Sequence, residues 1–184
     1  VGTHKYTVEE VQGSEAGMTY DPMKAEVTIT VTKEGHVLKA TNTLPADTEF
    51  NNTFTPSPVK VNLEFDKSLS NGNLNAGDFS FTLTGDNNVN ETVTNKANGK
   101  INFSELSFDQ AGVYNYTVKE VKGDKTDVDY DAMTIAVKVT VTKDASTGLL
   151  SAKTAMTSTG GEATGEDDKV FNNHVVAPVT AQFD

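Results

Sequence analysis

Ile135-Ala-Val-Lys-Val-Thr-Val-Thr-Lys143 decides the fold: apolar Ile135, Val137, Val139 and Val141 alternate with Ala136, Lys138, Thr140 and Thr142. A period of two places the apolar set on one face of an extended strand and the polar set on the other. Val27, Ile29 and Val31 alternate with threonines in the same way, and so do Phe79, Phe81 and Leu83 with Ser80, Thr82 and Thr84. Turn signals separate the runs at Asn71-Gly72, Gly85-Asp86-Asn87-Asn88, Asn98-Gly99, Gly123-Asp124 and Gly160-Gly161. No segment sustains a helical period; any helix is a turn or two around residues 73–77. The chain is therefore expected to be all-β, with strands spaced as in a sandwich.

Composition narrows the chemistry. The 184 residues carry 15 basic and 26 acidic side chains, a net charge of −11, and every basic residue is lysine. With no cysteine, disulfides, thiolate metal sites and cysteine nucleophiles are impossible. So acidic a chain, with no guanidinium group, is poorly suited to nucleic acid or to an anionic membrane. No run approaches the roughly 20 apolar residues that cross a bilayer, so membrane insertion is not expected of these residues. The 26 threonines and 21 valines favour strands.

An internal repeat organises the chain. Tyr6-Thr-Val-Glu-Glu-Val-Gln-Gly13 matches Tyr116-Thr-Val-Lys-Glu-Val-Lys-Gly123, and the match runs on to Lys33 and Lys143 with 14 of 28 positions identical. It resumes at Glu49-Phe-Asn-Asn52 and Val170-Phe-Asn-Asn173, after a longer loop in the second copy. The expected organisation is one whole unit over 57–175. Before it, 1–54 reads as the C-terminal half of a preceding repeat, and after it 176–184 reads as the first strand of a following one. Two prolines in Thr55-Pro-Ser-Pro58 mark the first boundary.

Alternation also sets three polar residues on inward faces. Val61, Leu63, Phe65, Lys67 and Leu69 share one side of a strand, opposite Lys60, Asn62, Glu64, Asp66 and Ser68. Tyr114, Tyr116, Val118 and Glu120 share another face, and Phe171, Asn173 and Val175 a third. The partial copy repeats two of the placements, at Glu10 and at Asn52. A buried charge costs several kcal/mol unless paired or neutralised. One reading is a core salt bridge between Lys67 and Glu120, or side chains that snorkel to water. The other is chemical: an amine, a proton shuttle and a carboxamide brought together. Burial lowers the pKa of Lys67 and raises that of Glu120, which frees the amine to attack Cγ of Asn173. In this reading a protonated Glu120 polarises the carboxamide oxygen and passes protons to departing ammonia. The product is an intramolecular isopeptide bond.

These residues resemble the isopeptide-forming domain of Gram-positive pilins, the family of the streptococcal backbone pilin, also found as tandem repeats in cell-wall adhesins. The resemblance rests on Phe65-Asp-Lys67-Ser-Leu69, Gly77-Asp-Phe-Ser-Phe-Thr-Leu83, Gly99-Lys-Ile-Asn-Phe103, the run from Phe108 to Glu120, Tyr130-Asp131 and Phe171-Asn-Asn173. It implies immunoglobulin-like β-sandwich repeats at the cell surface, cell-wall anchored or in a pilus, with no cofactor. It places crosslink roles on Lys67 and Asn173 and the proton shuttle on Glu120, with Glu10 and Asn52 their equivalents in the partial copy. The implied partners are neighbouring repeats or other pilin subunits, with a host receptor reached through other domains. The implied task is that of a structural stalk or shaft module. The alternative is a domain that binds a host glycan or matrix protein. An enzyme acting on an external substrate is not expected, since this chemistry consumes its own side chains once.

Other polar clusters read as ordinary surface. Asp127, Asp129 and Asp131, and the run from Asp86 to Glu91, lack the spacing of a calcium loop and read as solvated. His4, His36 and His174 are scattered, so no metal site is expected. No serine sits in a nucleophile-elbow context.

Overall fold

Each alternating run becomes a strand in the computed structural model, which describes residues 1–177. The described residues hold 16 strands and no helix. They divide into two compact units, Val1–Ser57 and Pro58 onward. Of the strand expected at 176–184, residues 178–184 lie outside the described residues.

The first unit contains β1 (Gly2–Glu9), β2 (Met18–Thr19), β3 (Lys24–Glu34), β4 (Val37–Thr43) and β5 (Thr53–Phe54). Its sheet has the order β1-β3-β4, and β2 pairs with β5. The second unit begins with β6 (Val59–Val61), β7 (Glu64–Ser70), β8 (Ser80–Gly85), β9 (Asn90–Thr94) and β10 (Lys100–Asn102). It continues with β11 (Leu106–Phe108), β12 (Gly112–Val121), β13 (Val128–Asp129), β14 (Thr134–Lys143), β15 (Leu150–Thr159) and β16 (Val170–Val175).

In the second unit a five-stranded sheet, β15-β14-β12-β8-β9, packs on a four-stranded one, β10-β7-β16-β13, as an immunoglobulin-like sandwich. A short β6-β11 pair completes it. The inner faces are those that alternation assigns. Leu63, Phe65, Phe81, Val118, Ile135, Val137, Val139 and Phe171 are fully buried, each worth about 1.5–3 kcal/mol of apolar transfer. Phe81 and Phe171 join the two sheets, with ring centroids 5.2 Å apart. Among the described residues every sheet pairing is antiparallel but one: β16 runs parallel to β7, with Phe171 opposite Lys67. The unit's first long strand thus lies beside its last.

The sequence repeat is also a pairing repeat. Tyr6 faces Val27 in β1–β3 as Tyr116 faces Val137 in β12–β14. Met18 faces Phe54 as Val128 faces Val175. The environments differ, however. Tyr6 and Val8 are 54% and 49% exposed, whereas Tyr116 and Val118 are 2% and 0% exposed.

Residues 73–77 are irregular, with a turn at 76–77, rather than the turn of helix considered above. Side chains take the hydrogen bonds that helix would use: Asp78 Oδ2 accepts from the Asn75 N–H at 2.8 Å, and Asn95 Oδ1 accepts from the Phe79 N–H at 2.9 Å. Such Asx contacts compete with helical backbone bonds.

Candidate functional site

Lys67 points inward because it follows Phe65 at spacing two on β7, in phase with Leu63 just before the strand, and its side chain is 0% exposed. A main-chain clasp fixes the strand there: the Lys67 N–H donates to the Gly99 carbonyl at 2.7 Å. Glu120 enters from the opposite sheet, two residues past Val118 on β12, with its side chain 1% exposed. Asn173 stands on β16, two residues past Phe171, and is buried. The three residues singled out by alternation therefore meet inside the sandwich.

Glu120 bridges the other two. Lys67 Nζ lies 3.4 Å from Glu120 Oε2, and Asn173 Nδ2 donates to Glu120 Oε1 at 2.7 Å. Lys67 Nζ also donates to the Phe171 carbonyl at 3.1 Å and sits 4.7 Å from the centre of the Phe79 ring. Burial pulls the Lys67 ammonium down to a pKa of about 8 against the opposing pull of the Glu120 carboxylate. Burial likewise pushes the Glu120 carboxyl up, opposed by Lys67 and by the Asn173 amide. Both shifts favour the neutral pair, an amine beside a carboxylic acid.

One part of the expected arrangement differs. Glu120 does not face the carboxamide oxygen; it faces the nitrogen that would leave. Asn173 Oδ1 instead accepts from the main-chain N–H of Asp131 at 2.8 Å. A peptide N–H can only donate, so it fixes the oxygen toward Asp131 and the nitrogen toward Glu120.

Asp131 is also the residue that the sequence reading misplaced. It is 5% exposed, not a solvated loop residue. Its carboxylate accepts from the N–H groups of Met133 at 2.8 Å, Glu162 at 3.1 Å and Asn172 at 2.8 Å. The available signal was Tyr-Asp-x-Met, which stands at both Tyr20–Met23 and Tyr130–Met133.

The first unit repeats the arrangement. Asn52 Nδ2 donates to Glu10 Oε1 at 2.7 Å, and Asn52 Oδ1 accepts from the Asp21 N–H at 2.9 Å. Asp21 accepts from the N–H groups of Asn51 and Met23, both at 2.9 Å. Those contacts hold its carboxyl below the usual range. Glu10 Oε2, which corresponds to the oxygen facing Lys67 in the second unit, is buried and has no partner among the described residues.

A serine–histidine–carboxylate contact, unforeseen in the sequence, lies on the opposite side of β16. Ser70 Oγ meets His174 Nδ1, and His174 Nε2 lies 2.7 and 2.8 Å from the Glu162 oxygens. Both partners of the His–Glu contact are about two-fifths exposed, so it holds the 160–169 loop to β16 with no more than about 1 kcal/mol. Among the described residues no cluster of three or more His, Asp or Glu side chains is arranged to hold a metal ion.

Comparison with known proteins gives one family. A profile described as FctA, Spy0128-like isopeptide containing domain, matches residues 1–55 and 63–176. No curated protein matches the chain. Among solved structures, the major pilin protein (T3.2) from Streptococcus pyogenes is similar at 20% identity, over 96% of this chain and 67% of that one. Its TM-score is 0.27, too loose a superposition to carry an argument.

Proposed function

The chain belongs to the family of Spy0128-like isopeptide containing domains, and from that premise we propose that it is a shaft module of a Gram-positive pilus or surface adhesin, locked by a bond between Lys67 and Asn173. The observation that carries this reading is the Glu120 carboxylate, which contacts the prospective nucleophile with one oxygen and the prospective leaving nitrogen with the other. A salt bridge alone accounts for Lys67 and Glu120. It gives no reason for a buried carboxamide on the remaining oxygen.

The chemistry balances within the triad. Starting from ammonium and carboxylate, one proton moves from Lys67 to Glu120 and frees the amine. Nζ attacks Cγ of Asn173, the Cγ–Nδ2 bond breaks, and Glu120 relays protons from Nζ to Nδ2. The new amide keeps one hydrogen, ammonia carries away three, and Glu120 holds the last. Folding supplies the proximity, equivalent to an effective molarity of ~10⁵ M or more. The reaction runs once per molecule and uses no cofactor.

Glu10 and Asn52 take the same roles in the first unit, with a lysine from outside residues 1–54. The proposed organisation remains a partial repeat over 1–54, a whole one over 57–175 and the start of another over 176–184. The partners are then adjacent repeats or other pilin subunits, and the place is the cell surface.

Intact-protein mass spectrometry tests the proposal. The expected mass of the chain is one ammonia below that of its sequence, with a fragment linking Lys67 to Asn173. Lys67→Ala, Glu120→Ala and Asn173→Ala should each restore the sequence mass of their variant. The unreduced mass in the parent chain would overturn the reading.

A further inference from the structure

We propose that the Tyr-Asp-x-Met turn is the oxyanion-holding part of the site. The Asp131 main-chain N–H stabilises the oxygen of Asn173 as it becomes negative, and the Asp131 carboxylate is the positioning residue that aims it. The inference rests on the crosslinking reading above and concerns a group to which that reading gives no role.

Attack on a carboxamide turns its carbonyl oxygen into an oxyanion, and a fixed donor about 2.7–3.1 Å away stabilises that charge at no cost in reorganisation. Among the described residues, Asn173 Oδ1 accepts a single hydrogen bond, from the Asp131 N–H at 2.8 Å. Glu120 is committed to the other end of the carboxamide. The labour is therefore divided: the carboxyl group serves the nitrogens, and the peptide N–H serves the oxygen.

The donor is held by a closed ring. Asp131 N–H points at the side chain of Asn173, while Asp131 Oδ2 accepts the N–H of Asn172 at 2.8 Å, one residue back on the same strand. Neither the turn nor β16 can slide without breaking both bonds. Oδ1 closes the turn on itself through Met133 N–H and ties in the 160–169 loop through Glu162 N–H. Both oxygens are used, so an amide at 131, with one acceptor oxygen, cannot reproduce the cradle. The loop needs glycine to come this close: a Cβ on Gly161, at φ +53°, would lie 2.1 Å from Asp131 Oδ1.

The first unit repeats the ring with different neighbours. Asp21 N–H holds Asn52 Oδ1 at 2.9 Å, and Asp21 Oδ2 accepts from Asn51 N–H at 2.9 Å. Among the described residues that copy has no counterpart of the Glu162 contact, so the ring does not depend on the loop. The cradle accompanies the asparagine in both units.

The test is the rate of ammonia loss. The chain is assembled from synthetic segments ligated in denaturant, refolded by dilution, and followed by intact mass over time. Replacing residue 131 by the α-hydroxy analogue of aspartate turns its amide into an ester, removing the N–H while keeping the carboxylate. The expected loss of rate is roughly 10²- to 10³-fold, as for one oxyanion donor. Because the N–H does not titrate, the ester should lower the rate at every pH without moving the pH profile. A merely structural lesion that disturbed Lys67 and Glu120 would move the profile.

Asp131→Asn keeps the N–H and the volume but loses one acceptor, and serves even if the ester chain fails to fold. It should react about tenfold slower or worse, since small misplacements cost that much. The same ester at Asp21 should leave the rate of the second unit unchanged. Parent-rate crosslinking in the ester chain, or in Asp131→Asn, would overturn the inference. Absence of ammonia loss from the parent chain would instead overturn the crosslink itself.

Discussion

Lys67 is the residue whose environment makes the sharpest thermodynamic demand. Burial holds its folded pKa at about 8, against 10.5 for an ordinary lysine. In Asn173→Ala the electrophile is gone and Lys67 stays an amine. Between about pH 8 and 10.5 the unfolded chain then binds a proton that the folded chain has shed. Stability must therefore rise with pH across that window and fall as pH drops back toward 8. Glu120, raised above 4.5, contributes stability below 4.5 that is lost as pH rises through its folded value. The two groups together place a trough between acid and base. Unfolding free energies from urea melts of Asn173→Ala, measured against Asn173→Ala/Lys67→Met to cancel other lysines, should climb from pH 8 to 10.5 by roughly a few kcal/mol. A flat difference would mean that Lys67 is not depressed. Lys67, Glu120 and Asn173 were legible in the sequence because a strand has a period, and a polar residue on the apolar phase stands out. Asp131 sits in a turn, where no period assigns a face. Its acidic neighbours Asp127 and Asp129 gave it the look of a solvated run.

At the scale of elements, alternation located the strands and their inner faces but not every partner. The chain changes sheets between β6 and β7, since β6 pairs with β11 while β7 pairs with β10 and β16. Nothing in the run from Val59 to Ser70 announces that break, because the apolar phase continues through it. The adjacency of β7 and β16 was legible only through chemistry, as the condition for a bond between Lys67 and Asn173. What holds β7 at the required depth is the clasp at Gly99. That residue has φ +82°, and a Cβ there would lie 2.5 Å from the Lys67 carbonyl oxygen. Gly77 has nearly the same angle, φ +83°, with nothing within 4 Å of a Cβ. Comparing the two separates strain from collision. In a Glu120→Gln background, Gly77→Ala should cost about 1 kcal/mol for the left-handed backbone alone. Gly99→Ala should cost about 1–3 kcal/mol more in urea melts, because backbone rather than a flexible side chain must move. Equal costs would show that β7 can shift to make room.

For the second unit as a whole, the parallel pairing of β7 and β16 sets the response to force. Tension that enters at the start of β7 and leaves at the end of β16 pulls two neighbouring parallel strands in opposite directions, so their hydrogen bonds are sheared together. A bond from Lys67 to Asn173 spans this same pair and takes the load past the 105 residues between them. It also limits the unfolded chain as a long-loop disulfide would, worth roughly 4–5 kcal/mol in the chain-entropy model. The mechanical consequence is larger than the thermodynamic one. Without the bond, unfolding releases those residues at about 3.3–3.6 Å each, an extension on the order of 350 Å. With it, that length is never released, because the load runs through a covalent path. Pulling single molecules by handles outside residues 58–177 should therefore show the long step in Glu120→Gln and none of that length from this unit in the parent chain. Proteolysis separates the cases independently, since cleavage between Lys67 and Asn173 should leave the two strands joined in denaturant only where the bond has formed. A parent chain that releases the full length, despite having lost its ammonia, would mean that the crosslink lies off the path of force and serves stability alone.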